Sequence, residues 1–397
     1  MTARAGAAPG TNRGGFRAMR DRVSALAAGH RSTTIIVGWI IVATALPLLM
    51  LLPPFSTFQN QKLWIDGFAN AGVFILLALG LNMVVGFAGL LDLGYAAFYA
   101  IGAYTYALAA SPTLPWISLH VPFWPMLLVG AAVAAMFGIL LGAPTLRLRG
   151  DYLAIVTLGF GEIVPAVFLN ADKITNGTNG IGGVYKPDLL GYQFTLGNPL
   201  PYYIAMVAII AVVMIFVYRL QDSRLGRAWM AVREDELAAA SSGVNTVTTK
   251  LLAFALGAST AGLAGVFTAA KLTLVSPDQF SFAVSFTILA MVVLGGMGNV
   301  WGVAIGAFIL YTIQSVVLKQ LNPFFGEKGL NVPFLKDIDF VQYQFLLYGL
   351  ALVLMMLLRP EGLFPSSRRK RELHTEQDEN VGDELGPDPS STPMEQT

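Results

Sequence analysis

Few residues in this 397-residue chain could do chemistry, and the usual reactive sets are incomplete. Cysteine is absent and only His30, His120 and His374 supply imidazole, which excludes disulfides and thiolate sites and starves a zinc site of ligands. No G-x-x-x-x-G-K-[ST], H-E-x-x-H or G-x-S-x-G stretch occurs. No catalytic residue, metal ligand or cofactor is therefore expected, and any ATP must be bound by another chain. Two features remain. Glu162 lies eleven residues past Asp151 in an apolar run, hence ~16 Å into a bilayer at helical rise. An acid at that depth is costly unless paired, protonated or facing water, so it is read as either a translocation-path residue or a hydrogen-bonded structural acid. Asn82 is the second intramembrane polar candidate, and Gly159, Gly161 and Pro165 predict a distorted helix around Glu162. Asp92 reads as an exposed loop acid.

The second feature is DSRLGRAWMAVREDELAAASSG, from Asp222 to Gly243. Asp222 or Ser223 can cap a helix start. Leu225, Trp229 and Val232 recur at helical spacing, and Ala238 to Ala240 carry the helix on until Gly243 offers a stop. The segment predicts one short amphipathic helix with Arg233, Glu234, Asp235 and Glu236 facing the cytosol. It is either an ordinary solvated loop helix or a rigid element that fits a cleft on a cytoplasmic motor.

The elements that must position these residues are membrane spans. Only 12% of residues are charged, about half the usual ~25%. Mean hydropathy is +0.62 and glycine is abundant, as in polytopic α-helical membrane proteins. The net charge of +1 leaves no basic field for nucleic acid. The fold class is all-α, with about ten spanning windows: 34–52, 67–89, 93–110, 121–145, 152–169, 200–218, 251–270, 281–298, 300–318 and 340–358. Glu162 is the one Asp, Glu, Lys or Arg within them. Gly295, Gly296, Gly298 and Asn299 are read as a tight break between the eighth and ninth windows.

With the amino terminus inside, every Arg falls in a cytoplasmic segment, and seven Lys (62, 173, 186, 271, 319, 328 and 336) fall outside. Both termini are then cytoplasmic in a multi-pass inner-membrane protein. Residues 1–33 form a basic arm and 34–365 the transmembrane domain, with a cytoplasmic loop at 219–250. Residues 366–397 form an acidic tail whose composition predicts disorder. Arg368 to Arg371 close the topology at the lipid surface.

Gly298, Gly302 and Gly306 recur every fourth residue and predict a helix-packing face, within the subunit or against a second one. Ala100 to Tyr104 resembles Ala304 to Phe308, which is either an internal repeat or chance. The outer loop from Asn170 to Pro199 carries TNGTNGIGGV, rich in turn formers, where an external partner would dock.

Five ordered blocks resemble the M-type permease family of high-affinity branched-chain amino acid ABC importers: GLLDLGYAAFYAIGAY from Gly89, LRLRGDYLAIVTLGFGEIV from Leu146, LGRAWMAVREDELAAASSG from Leu225, VVLGGMGNVWG from Val292 and RPEGLFP from Arg359. The resemblance covers about residues 67–365. It implies an ABC importer permease fold paired with a related second permease, two cytoplasmic ATP-binding subunits, and a periplasmic binding protein that delivers Leu, Ile or Val. It also implies that Gly226, Arg227, Trp229, Arg233, Glu234, Asp235, Glu236 and Gly243 form the coupling element to an ATPase. Pro165 departs from the family pattern, where Arg is expected, leaving Glu162 without a cation three residues on. Asn176 replaces an expected Gly. A permease for urea or short amides and an ion-coupled secondary transporter using Glu162 are the alternatives.

Overall fold

A computed structural model describes the protein over residues 61–112, 121–145, 151–189, 191–195, 197–319, 342–359 and 362–364. The window 34–52, the basic arm, the acidic tail and all three histidines lie outside the described residues. Within them the helices are α1 (Gln61–Leu81), α2 (Ala96–Ala110), α3 (Phe123–Thr145), α4 (Asp151–Asn170) and α5 (Leu200–Gln221), followed by α6 (Arg224–Glu234) and α7 (Glu236–Ser241). Then come α8 (Thr246–Leu272), α9 (Phe282–Gly295), α10 (Val300–Thr312) and α11 (Gln344–Leu358).

Among the described residues, six segments are long and apolar enough to cross a bilayer: Lys62–Phe87, Phe123–Pro144, Asp151–Asn170, Leu200–Gln221, Thr246–Leu272 and Pro277–Gly295. Ala96–Ala110, Val300–Ser315 and Gln344–Met355 are apolar but shorter. Nine of the ten expected windows thus coincide with apolar helices, of which six have full length. The first begins at Gln61 rather than 67 and ends in a π-helical turn, Asn82–Phe87. The helix α2 is only 15 residues, about 22 Å, because the chain from Gly89 to Tyr95 is irregular before it coils.

Lipid offers the backbone no hydrogen bonds, so the chain must coil, and lateral packing then depends on how closely the helices approach. The axis of the molecule is α8. A Cβ at Gly102 of α2 would stand 2.4 Å from the Gly262 carbonyl oxygen of α8, and one at Gly262 would stand 2.5 Å from the Gly130 carbonyl oxygen of α3. Backbones therefore touch on both sides of α8. On α1, Gly80 lies under Tyr95 and Thr260, and Gly72 under Met206 of α5.

The break at Gly295 to Asn299 is present, with α9 ending and α10 starting there. Asn299 caps α10 by accepting from the Trp301 and Gly302 N–H groups at 3.1 and 3.3 Å. Gly302 and Gly306 pack on Gly295, so this face joins α9 to α10 inside the subunit. Gly298 belongs to the turn, not to the helix face as expected, because its φ of +81° precedes the first helical residue. Beyond α11, Leu363 and Phe364 donate backbone N–H groups to the Leu294 and Gly295 carbonyls at 2.9 and 3.3 Å, and Asn299 Nδ2 donates to the Phe364 carbonyl.

The segments after α4 and after α8 add small strands to the all-α expectation. β1 (Ile181–Gly182) pairs antiparallel with β4 (Leu274–Val275), and β2 (Asp188–Leu189) with β3 (Tyr192–Gln193). Asn176 has φ +61°, the left-handed region that glycine favours and asparagine tolerates, which accounts for the exchange of residue types there.

Candidate functional site

The segment from Asp222 to Gly243 is built by local signals and then fastened by distant ones. Ser223 caps α6 by accepting from the Gly226 N–H at 3.3 Å. The helix does not run on to Gly243 as expected. It stops at Asp235, whose carboxylate accepts from the Leu237 and Ala238 N–H groups and starts α7. Gly243 then ends α7 at φ +86°, and Asn245 caps α8 by accepting from the Thr248 N–H. The result is a helical hairpin folded back on α8.

Three contacts hold that hairpin to the spans. Trp229 is fully buried. Its Nε1–H donates to the Thr249 carbonyl at 2.7 Å, and its ring stacks on Phe87 with centroids 6.5 Å apart. Glu236 pairs with the buried Lys250 at 2.6 Å. Arg233 donates from its guanidinium to the Gly86 carbonyl at 2.5 Å, and its aliphatic stem lies over Gly89. The expectation that Arg233 to Glu236 all face the cytosol is corrected. Glu234 and Asp235 are exposed, whereas Arg233 and Glu236 turn inward because the π-helical turn offers a free carbonyl and α8 offers a cation. Gly226 is buried against the Leu220 and Gln221 carbonyls. Arg227 is exposed and donates to the Asp222 carbonyl at 2.8 Å.

From Gly89 the chain runs under the bundle. Leu93 N–H donates to Thr157 Oγ1 of α4, Gly94 lies against Gly161 of α4, Tyr95 OH donates to the Gly257 carbonyl of α8 at 2.7 Å, and Ala96 N–H donates to Ser285 Oγ of α9. One loop therefore touches the α6–α7 hairpin at one end and α4, α8 and α9 at the other. Asp92, expected to be exposed, is buried at its centre: Oδ1 accepts from the Gly94 N–H, and Oδ2 has no hydrogen-bond partner among the described residues. Burial pushes its carboxyl up to about 7, against the Gly94 N–H, which favours the charged form.

A folded-state value above the ordinary 3.8 means that proton uptake stabilises the fold fully below that pH, and that this contribution is lost as pH rises through about 7. Asp92→Asn should therefore raise the melting temperature of the detergent-solubilised protein at pH 8, by an amount worth on the order of 4 kcal/mol, and much less at pH 5. Equal shifts at both pH values would remove this account of Asp92.

Asn82 is fully buried in the π-helical turn, and its Oδ1 accepts from the Gly298 N–H at 2.9 Å. It ties α1 to the α9–α10 turn from inside the subunit, and its Nδ2 has no partner among the described residues. Glu162 faces outward. The buried side of α4 is Leu153, Ala154, Thr157, Gly161 and Val164, and Glu162 lies on the opposite side with Ile155 and Gly159. The helix assignment continues through Pro165.

Sequence reasoning missed a buried cation at the other end of the bundle, where Lys271 Nζ meets the partly exposed Asp66 Oδ1 at 2.8 Å and Asn70 Oδ1 at 2.6 Å. Counting Lys271 as a free outer-loop cation hid it; Asp66 and Asn70, one turn apart, were the available signal. Among the described residues, no three His, Asp or Glu side chains converge on a point that could hold a metal ion.

The sequence profile of the family described as branched-chain amino acid transport system / permease component matches residues 63–358. The chain belongs to this family. The match takes in the hairpin, the loop beneath the bundle and α4. The chain is 44% identical over 346 residues to the high-affinity branched-chain amino acid transport system permease protein LivM of Escherichia coli K12, covering 82% of this chain and 75% of that protein. A second LivM, from Salmonella typhimurium, is 43% identical, covering 77% and 71%. The LivH permease of Escherichia coli K12 is 25% identical, covering 68% and 88%. No solved structure matches the chain. The relatives of this chain thus include both LivM and LivH permeases.

Proposed function

We propose that this chain is the membrane-spanning permease subunit of an ATP-driven importer that moves Leu, Ile and Val delivered by a periplasmic binding protein. The observation that carries the reading is the LivM identity across the spans and the cytoplasmic hairpin together. On this reading the protein has ten spans with both termini in the cytoplasm, and Ala100 to Tyr104 of α2 and Ala304 to Phe308 of α10 are corresponding segments of an internal repeat. It is paired with a related permease, and two ATP-binding subunits supply the energy. The hairpin α6–α7 receives an ATPase. The binding protein docks on the outer loop that contains Asn176.

The division of labour within the hairpin follows from its geometry. Trp229, Arg233 and Glu236 fasten it to the spans, which leaves Arg227, Glu234 and Asp235 facing away for the ATPase. Leu237 beside them is a large apolar side chain left 69% exposed, the kind of anchor that fills a partner's cleft. ATP then alters the spans only through contacts that differ between the motor's open and closed states.

The reading is tested by reconstituting the chain with its candidate partners. Branched-chain amino acid uptake should require ATP and the binding protein and survive collapse of ion gradients. Within that assay, Leu237→Arg should abolish co-purification of the ATP-binding subunits and lower uptake at least about tenfold, as loss of a buried interface anchor of ~2 kcal/mol implies. Permease abundance in the membrane should be unchanged. Normal co-purification of the variant would move the docking surface elsewhere.

A further inference from the structure

A cavity of about 310 Å³ opens among α1, the first turns of α9 and α11, and the π-helical continuation of α10 (Ile313–Val317). These are the helix ends remote from the α9–α10 turn, hence remote from the hairpin. Its polar lining includes Gln314, Ser315, Lys319 and Gln344, and Phe74 and Phe345 form apolar walls. The two glutamines are fixed across the cavity. Gln314 Nε2 donates to Gln344 Oε1 at 2.8 Å, and Tyr348 OH donates to Gln314 Oε1 at 2.5 Å. Both amide oxygens are thus engaged, and the amide N–H groups left over are donors. Lys319 is exposed, and its Nζ has no hydrogen-bond or ion-pair partner among the described residues. No Asp or Glu is among the described residues that line the cavity.

A site that offers donors and a cation without a carboxylate selects an anion. The same lack disfavours a free amino acid, whose ammonium finds no carboxylate to pair with, and a lipid headgroup that carries its own cation. The surface below the cavity selects the rest of the ligand. Leu346, Leu350, Val353 and Leu357 of α11 are exposed and recur along one helix face, as on a lipid-facing surface. Beside that row, Phe345, Gly349 and Val353 follow one another at every fourth residue, and a Cβ at Gly349 would meet nothing within 4 Å. The glycine leaves a notch one turn below the Phe345 rim. We infer that the cavity binds a phospholipid of net negative charge, with its phosphate on Lys319 and Gln344 and an acyl chain laid through the notch at Gly349. The lipid joins α10 to α11 at the end where they have no latch like that of Leu363 and Phe364. The inference goes beyond the permease reading and needs only that α10 and α11 stand in a bilayer; on that reading, the leaflet is the one facing away from the ATP-binding subunits.

The test is a titration of the delipidated, detergent-solubilised full chain, read as melting temperature and as lipid adducts in native mass spectrometry. Phosphatidylglycerol should raise the melting temperature saturably and give a discrete adduct, whereas phosphatidylcholine should do neither at the same concentration. Lys319→Gln and Gln344→Leu should each weaken half-saturation at least about fivefold, as loss of a charge-assisted hydrogen bond to the phosphate implies. Gly349→Phe should weaken it as well, with Lys319 intact, because the ring fills the notch. Lys186→Gln removes an exposed cation elsewhere and should leave the titration unchanged. Glycerol 3-phosphate should not substitute for the lipid. Equal responses to the two lipids, or an unaltered titration in both Lys319→Gln and Gln344→Leu, would overturn the site. A full response to glycerol 3-phosphate would make the ligand a soluble anion, and an unaltered titration in Gly349→Phe would remove the acyl chain from the notch; either result defeats the lipid as proposed. ATP-driven uptake plays no part in these readouts, so their failure leaves the permease reading standing.

Discussion

Arg233→Ala should cut ATP-driven uptake by at least about tenfold while the ATP-binding subunits still co-purify with the permease. The guanidinium joins α6 to the π-helical turn at the Gly86 carbonyl, and its stem covers Gly89. A hydrogen bond from a charged group is worth about 1.5–3 kcal/mol, and truncation leaves the Gly86 carbonyl to find another donor. The loop beyond Gly89 reaches α4 through Thr157 and Gly161, α8 through Gly257 and α9 through Ser285. On the proposed reading, a push on the hairpin reaches this loop through Arg233, whereas Trp229 and Glu236 still hold the hairpin to α8 in its absence. ATP hydrolysis by the assembled transporter should persist when transport falls. Parallel loss of hydrolysis and of co-purification would mean that Arg233 serves docking instead.

The second large effect is structural. Gly102→Val should lower the melting temperature of the solubilised protein by an amount worth about 3 kcal/mol, and its yield in membranes should fall accordingly. The first atom added stands 2.4 Å from the Gly262 carbonyl oxygen, and that backbone is held from behind by Gly130. Neither α2 nor α3 can yield without opening the seam around α8. Gly159→Ala is the matched control, because nothing among the described residues lies in front of it, and it should not lower the melting temperature. Similar losses in both variants would show that backbone contact at Gly102 does not set the penalty.

Sequence signals of short range proved the most readable. The Ser223 cap, the Gly243 stop and the break at Gly295 to Asn299 are each specified by neighbours a turn away, and each is where the pattern placed it. The stop at Asp235 was also local: an Asp ahead of Glu, Leu and Ala is a capping pattern, but the alanine run outweighed it in the reading. What escaped were side chains whose partners lie far along the chain. Arg233 finds Gly86, Lys271 finds Asp66, and Asp92 is covered by helices that arrive later. Charge alone assigned all three to water. Only tertiary packing decides otherwise.

The contacts of Leu363 and Phe364 with the end of α9 have a consequence for biogenesis. The corner where α9 meets α10 acquires its last two backbone donors only once the ribosome has passed residue 364, after α11 has been handed to the bilayer. A message truncated just past α11 would still encode the apolar helices described up to that point, yet would release a protein whose inner corner stays unlatched and open to membrane proteases.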